Sequence, residues 1–155
     1  MNDLQRWQQN NEDFLAAALR WLRLRLLYQI DSPSSAPEPL PPRKQSWFQR
    51  LFRRSSRRKS KVDHPPTEKV SKGDLAKAKE EMDRAEKLEP RPALIQLCQR
   101  FGMSRFEQQV LLLCAAMELD PRTARLCAQV QGNPHQPYPT FALALSLFEE
   151  PAWDS

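Results

Sequence analysis

Aromatic and basic side chains are concentrated in one short segment, residues 43–61, which is the clearest candidate binding site in the sequence. Its apolar members fall at i, i+1, i+4 and i+5 and would form one stripe on a two-turn helix: Trp47, Phe48, Leu51 and Phe52. Cations surround or follow this stripe: Arg50, Arg53, Arg54, Arg57, Arg58 and Lys59. Such a composition is typical of peptides that lie on anionic membranes, and the same cations could contact the phosphates of a nucleic acid. The pattern predicts an anionic partner without distinguishing lipid from nucleic acid, and a merely solvated linker is the third interpretation.

The charge of the chain is distributed unevenly, although the formal total is only +5. Residues 1–31 carry four basic and four acidic side chains and are neutral. Residues 32–72 carry eleven basic and three acidic side chains, a net +8, whereas residues 73–155 carry nine basic and twelve acidic ones, a net −3. The attraction for an anionic partner is therefore confined to the middle of the chain.

The residue types that enzymes use are not arranged in any recognisable catalytic site. His64 and His135 fall in Pro-rich stretches, far from a nucleophile and without a second ligand at metal spacing. The chain has three glycines and no GxxxxGK[ST] or GxGxxG sequence, so it lacks the backbone cradle that holds a nucleotide phosphate. We predict a non-catalytic chain with no metal, no cofactor and no small-molecule substrate.

The three cysteines, Cys98, Cys114 and Cys127, have no CxxC spacing, and an odd number argues against a disulfide framework. Each is surrounded by apolar residues on a predicted helix, where cysteine behaves as a small hydrophobic side chain. This usage predicts a reducing compartment and a cytoplasmic protein.

The hydrophobic pattern divides the chain into three regions. Residues 1–30 predict an amphipathic helix, which must pack on the downstream domain, on a copy of itself or on a membrane surface. Residues 31–72 contain Pro/Ser-rich and basic stretches and predict a disordered linker. Residues 73–155 predict a compact helical domain.

The third region contains start and stop signals for about five short helices and no alternating pattern of a strand. We expect helices over 74–88, from Pro92 to Gly102, over 106–119, from Pro121 to Gly132, and over 141–148. Ser104 and Glu107 form a capping box, and Thr140 caps the last helix. The fold class is therefore all-α. Because residues 110–117 are apolar on every side, helix 106–119 is expected to be the buried central helix.

Two stretches, LIQLCQRFGMSRFEQQVLLLCAAMELDPRTARLCAQVQG (94–132) and PYPTFALALSLF (137–148), resemble the N-terminal region of a bacterial group of AAA-family ATPases. Trp153 and the helical stretch FLAAALRWLRLRL (14–26) are also similar to that group. The resemblance implies a winged-helix-like domain that precedes an ATPase motor, and several members of the group accompany contractile injection systems.

This chain departs from the group in two ways. It stops at Asp154-Ser155, before the strands that would complete the wing and before the motor, so we expect a fragment, a truncated product or a separately encoded piece. The basic segment 43–61 is not a feature of the group.

The resemblance therefore implies a non-catalytic interaction or regulatory domain that docks clients or partners for an ATPase motor located beyond this chain. The alternatives are a nucleic-acid-binding winged-helix-like module and a peripheral membrane adaptor that uses segment 43–61. The net negative charge of residues 73–155 and the apolar character of helix 106–119 both argue against DNA binding by the folded part.

Overall fold

The computed structural model describes residues 2–31 and 69–148, and in these ranges the chain is all-α. It forms six helices and no strand there: α1 Asp3–Asp31, α2 Lys72–Ala85, α3 Ala93–Arg100, α4 Arg105–Leu119, α5 Arg122–Val130 and α6 Phe141–Leu147. The all-α prediction is confirmed for the described residues, and most of the predicted linker, residues 32–68, lies outside them.

Local capping explains where most of these helices begin and end. The predicted capping box is present at α4, where the Ser104 side chain accepts from the Glu107 backbone N–H and the Glu107 carboxylate accepts from that of Ser104. Thr140 caps α6 as predicted. A second capping box, Ser71 with Asp74, was not predicted, and it starts α2 two residues earlier than expected. Gly102 and Gly132 both have φ of 62°, the left-handed conformation that ends α3 and α5.

Helix α1 supplies the centre of the hydrophobic core. Six of its residues are buried: Asn10, Phe14, Ala18, Trp21, Leu22 and Leu26. All of them except Asn10 join one cluster with buried side chains of the other helices, including Met82, Ile95, Leu113, Cys127 and Leu147. Of the three places considered for the N-terminal helix, the structure therefore shows it on the downstream domain.

The expectation that helix 106–119 is central is wrong. Helix α4 buries Leu112, Leu113 and Ala116, but Cys114 and Leu119 on its other side are exposed. The physical reason is length. A helix of 29 residues is about 44 Å long, so the shorter helices can pack along it, whereas α4 buries only one side.

Helices α1 and α2 run antiparallel, and polar contacts fix their register. At one end the Asn10 side chain donates to the Pro90 carbonyl at 2.8 Å. Further along, Arg20 pairs with Glu81 at 2.6 Å, and the Lys79 ammonium lies 5.9 Å from the Trp21 ring centre. The residue numbers rise along α1 as they fall along α2, so the end of α1 lies near the start of α2.

Helix α1 is the longest helix in the described ranges, which makes it the natural candidate for a membrane span. Its arginines interrupt the apolar stretch, and neither it nor any other helix in the described ranges is long and apolar enough to cross a bilayer.

Candidate interaction surfaces

The predicted anionic-surface site lies outside the described residues. All of its members fall between residues 32 and 68: Trp47, Phe48, Arg50, Leu51, Phe52, Arg53, Arg54, Arg57, Arg58 and Lys59. The site stays a prediction from the sequence.

Helix α6 presents an apolar face to solvent. Its inner side chains Leu143, Ala144 and Leu147 are buried in the core. On the outer side, Phe141 is 58% exposed and Leu145 is 36% exposed. The Phe141 ring packs edge-to-face on Phe106 of α4, with ring centres 6.0 Å apart. Phe106, Phe141, Ala142 and Leu145 together are called the α6 surface below.

Side-chain hydrogen bonds hold the start of α6 in place. Thr140 accepts a hydrogen bond from the Leu143 backbone N–H, and its hydroxyl donates to the Gln131 side chain at 2.7 Å. The amide nitrogen of Gln131 in turn donates to the Tyr138 carbonyl at 2.9 Å. These bonds tie the loop between α5 and α6 to the end of α5, so the outer face of α6 is presented by a fixed element.

A second candidate surface is a groove of about 490 Å³ between α1 and the corner where α4 meets α5. Three arginines line it, and we call it the arginine groove: Arg20, Arg23 and Arg122, with Leu19, Leu119 and Asp120. The Asp120 carboxylate accepts from both the backbone N–H and the Nε of Arg122, at 3.0 and 2.9 Å. The hydrogen bond from the Arg122 guanidinium lowers the pKa of Asp120 and so stabilises its ionised form.

A third groove, of about 410 Å³, lies beside Trp21 and is lined by Lys72, Lys79 and Arg105. Two of these cations already have carboxylate partners. Lys79 pairs with Asp83 at 3.3 Å, and Arg105 pairs with Asp83 at 2.8 Å and Glu86 at 2.7 Å. The two Arg105 pairs connect the start of α4 to α2 and the residue that follows it, so we assign the cluster to holding the helices together.

The described residues show no arrangement of metal ligands or activated nucleophiles. Within residues 2–31 and 69–148, no three His, Cys, Asp or Glu side chains are grouped so that they could hold a metal ion. Burial raises the pKa of Cys127 to about 11 and also raises that of Cys98, so neither is an activated thiolate.

Sequence reasoning missed both the α6 surface and the arginine groove. The α6 surface has a sequence signal: FALALSL is apolar on both sides of a seven-residue helix, and a helix this short can bury only one side when it lies at the edge of a domain. The groove has no such signal, because Arg23 and Arg122 are far apart in the chain.

Comparison with known proteins gives one match. A family model described as "Winged helix domain, variant" matches residues 5–153, a range that includes helices α2 to α6 and all of α1 except its first two residues. No curated protein and no solved structure matches the chain.

Proposed function

The chain belongs to the variant winged helix domain family, and from this membership we propose that it is a non-catalytic module that docks a protein partner on the α6 surface. Winged helix domains bind nucleic acids or proteins and are generally non-catalytic. Of these two kinds of partner, the proposal chooses a protein over a nucleic acid.

The observation that carries this choice is the apolar outer face of α6. A typical helix-turn-helix protein places the second helix of the pair in the major groove of DNA, where polar and cationic side chains contact bases and phosphates. Taken as that helix, α6 would bring no charged residue to the groove, because its sequence is FALALSL. The only hydroxyl, that of Ser146, donates to the Leu143 carbonyl within the helix. Such a face offers no charge to a phosphate and no free hydrogen-bond donor to a base edge.

A protein partner would gain binding free energy by covering the same apolar face. Phe141 and Leu145 are both at least one-third exposed, so covering them would contribute on the order of 1 kcal/mol each. Phe106 supports Phe141 from below, and the Thr140 cap fixes the helix. The domain therefore loses little conformational entropy when a partner binds.

We propose further that this partner is the motor of an AAA-family ATPase in a bacterial cytoplasm, or a client delivered to it. The support is the resemblance of residues 94–132 and 137–148 to the region that precedes such motors. The link to contractile injection systems is supported by the same resemblance alone.

The experiment places a photoreactive phenylalanine analogue at position 141 or 145 of the full chain, in the cells that encode it. Position 129, exposed on α5 and outside the α6 surface, is the matched control. We expect positions 141 and 145 to give one shared protein adduct that position 129 does not give, and mass spectrometry should identify an AAA-family protein. Leu145→Asp should abolish the adduct formed from position 141. Adducts with nucleic acid, or equal labelling from all three positions, would refute docking by α6.

A second candidate function comes from segment 43–61. Its aromatic stripe and neighbouring cations support a peripheral membrane adaptor or a nucleic-acid contact, independently of the α6 surface.

A further inference from the structure

We propose that the arginine groove binds a peptide segment of a partner protein in which a carboxylate lies next to a large apolar side chain. This surface is distinct from the α6 surface. The inference rests on the proposed function only in that both partners are proteins, and it would stand if α6 proved to bind nothing.

The hydrogen bond between Arg122 and Asp120 orients the Arg122 side chain for binding a second carboxylate. Its Nε donates to Asp120, whose side chain is only 11% exposed, and this bond fixes the guanidinium plane. The side chain of Arg122 itself is 67% exposed. Within residues 2–31 and 69–148 its two terminal amino groups make no hydrogen bond. Two amino groups of one guanidinium can hold both oxygens of a carboxylate.

Arg23 adds a second cation from the other wall of the groove. It lies on α1, is half-buried, and makes no ion pair with the described residues. Arg23 and Asp120 both line the groove, and the charge of Arg23 helps to keep the pKa of Asp120 low. Arg23 and Arg122 together exceed the charge of Asp120, so the groove favours a further anion.

The apolar part of the groove specifies the rest of the ligand. Leu119 ends α4 with its side chain 52% exposed, and Leu19 and Pro121 line the groove beside it. The sugar-phosphate backbone of a nucleic acid would gain no binding energy by covering the apolar side chain of Leu119. A peptide with one carboxylate and one apolar side chain satisfies both features.

The test begins with selection of short random peptides, displayed on phage, against the full chain. We expect the selected peptides to be enriched in Asp or Glu adjacent to Leu, Ile or Phe. One selected peptide is then labelled with a fluorophore and titrated by fluorescence anisotropy. Arg122→Gln should weaken its binding about tenfold or more, because a charge-assisted bond is lost. Arg23→Gln and Leu119→Ser should each weaken it severalfold.

Controls separate this proposal from the alternatives. Arg125→Gln changes an exposed arginine on the same helix that does not line the groove, and it should leave affinity unchanged. Leu145→Asp should also leave it unchanged, whatever that variant does to α6 docking. Thermal melting of each variant checks that the fold is intact. The proposal is overturned if no peptide is selected, if the selected peptides lack acids, or if Arg122→Gln and Arg23→Gln both bind normally. Displacement of the peptide by duplex DNA at moderate salt would identify a nucleic-acid site instead.

Discussion

Cys114 differs from the other two cysteines in its environment. Cys98 and Cys127 are buried, and Cys127 is fully shielded from solvent, whereas Cys114 lies on the outer side of α4. The expectation that α4 is buried on every side is therefore wrong at Cys114. The error follows from the sequence of α4, since its apolar run continues around the helix and gives no sign of which side faces water.

We predict that Cys114 alone reacts with a thiol reagent in the native protein near pH 8. Reaction requires an accessible thiolate, and Cys127, with its pKa raised to about 11 by burial, is both inaccessible and protonated. A chromogenic disulfide reagent should report one thiol before unfolding and three in denaturant. Cys114→Ser should remove the native signal, while Cys98→Ser should not. A native signal that survives Cys114→Ser would mean that the core opens on the timescale of the assay.

At the scale of helices, α1 carries the core rather than α4, and this changes where a substitution is most harmful. We predict that Leu22→Ala, at a side chain only 1% exposed, lowers the free energy of unfolding by about 2–5 kcal/mol. The matched variant Leu119→Ala removes the same atoms from a side chain that is 52% exposed, and should cost less than about 0.5 kcal/mol.

Urea unfolding followed by circular dichroism measures both variants. Equal losses, or a larger loss for Leu119→Ala, would contradict a core built on α1. Loss of helical signal in Leu22→Ala without denaturant would agree with the prediction.

The helix boundaries were predictable because their signals are local. Ser104 with Glu107, Thr140, and the glycines after α3 and α5 each act within a few residues of the helix end that they fix. Even the missed cap Ser71 is a local pattern, with aspartate in place of the usual glutamate. Packing was less predictable, because it depends on contacts such as Asn10 with Pro90 that join distant parts of the chain. The arginine groove was missed for the same reason.

For the whole molecule, the antiparallel arrangement of α1 and α2 determines where the basic segment attaches. The chain leaves the described structure after Asp31 and returns at Lys69, at the end of the helix pair where α1 finishes and α2 starts. Residues 32–68 therefore lie in the chain between two helices that pack side by side. A partner of segment 43–61 would be tethered to this end, while the Asn10–Pro90 contact marks the opposite end of the pair.

We predict that segment 43–61 binds anionic vesicles and that this binding requires both its cations and its aromatic side chains. Each Lys or Arg near an anionic surface contributes about 1 kcal/mol, and burial of an aromatic side chain contributes about 1.5–3 kcal/mol. Trp47→Ala combined with Phe52→Ala should therefore weaken vesicle sedimentation although the charge is unchanged. Arg57→Gln with Arg58→Gln is the matched pair that removes charge and keeps the aromatic stripe, and its effect should shrink as salt is raised. Attraction to phosphates alone predicts another pattern: binding to duplex DNA that is insensitive to the aromatic substitutions and falls steeply with salt. The two patterns separate lipid from nucleic acid with the same four proteins, including wild type and a variant that combines all four substitutions. If wild type binds neither vesicles nor DNA at moderate salt, segment 43–61 is a solvated linker, and its charge then serves only to keep this end of the molecule in water.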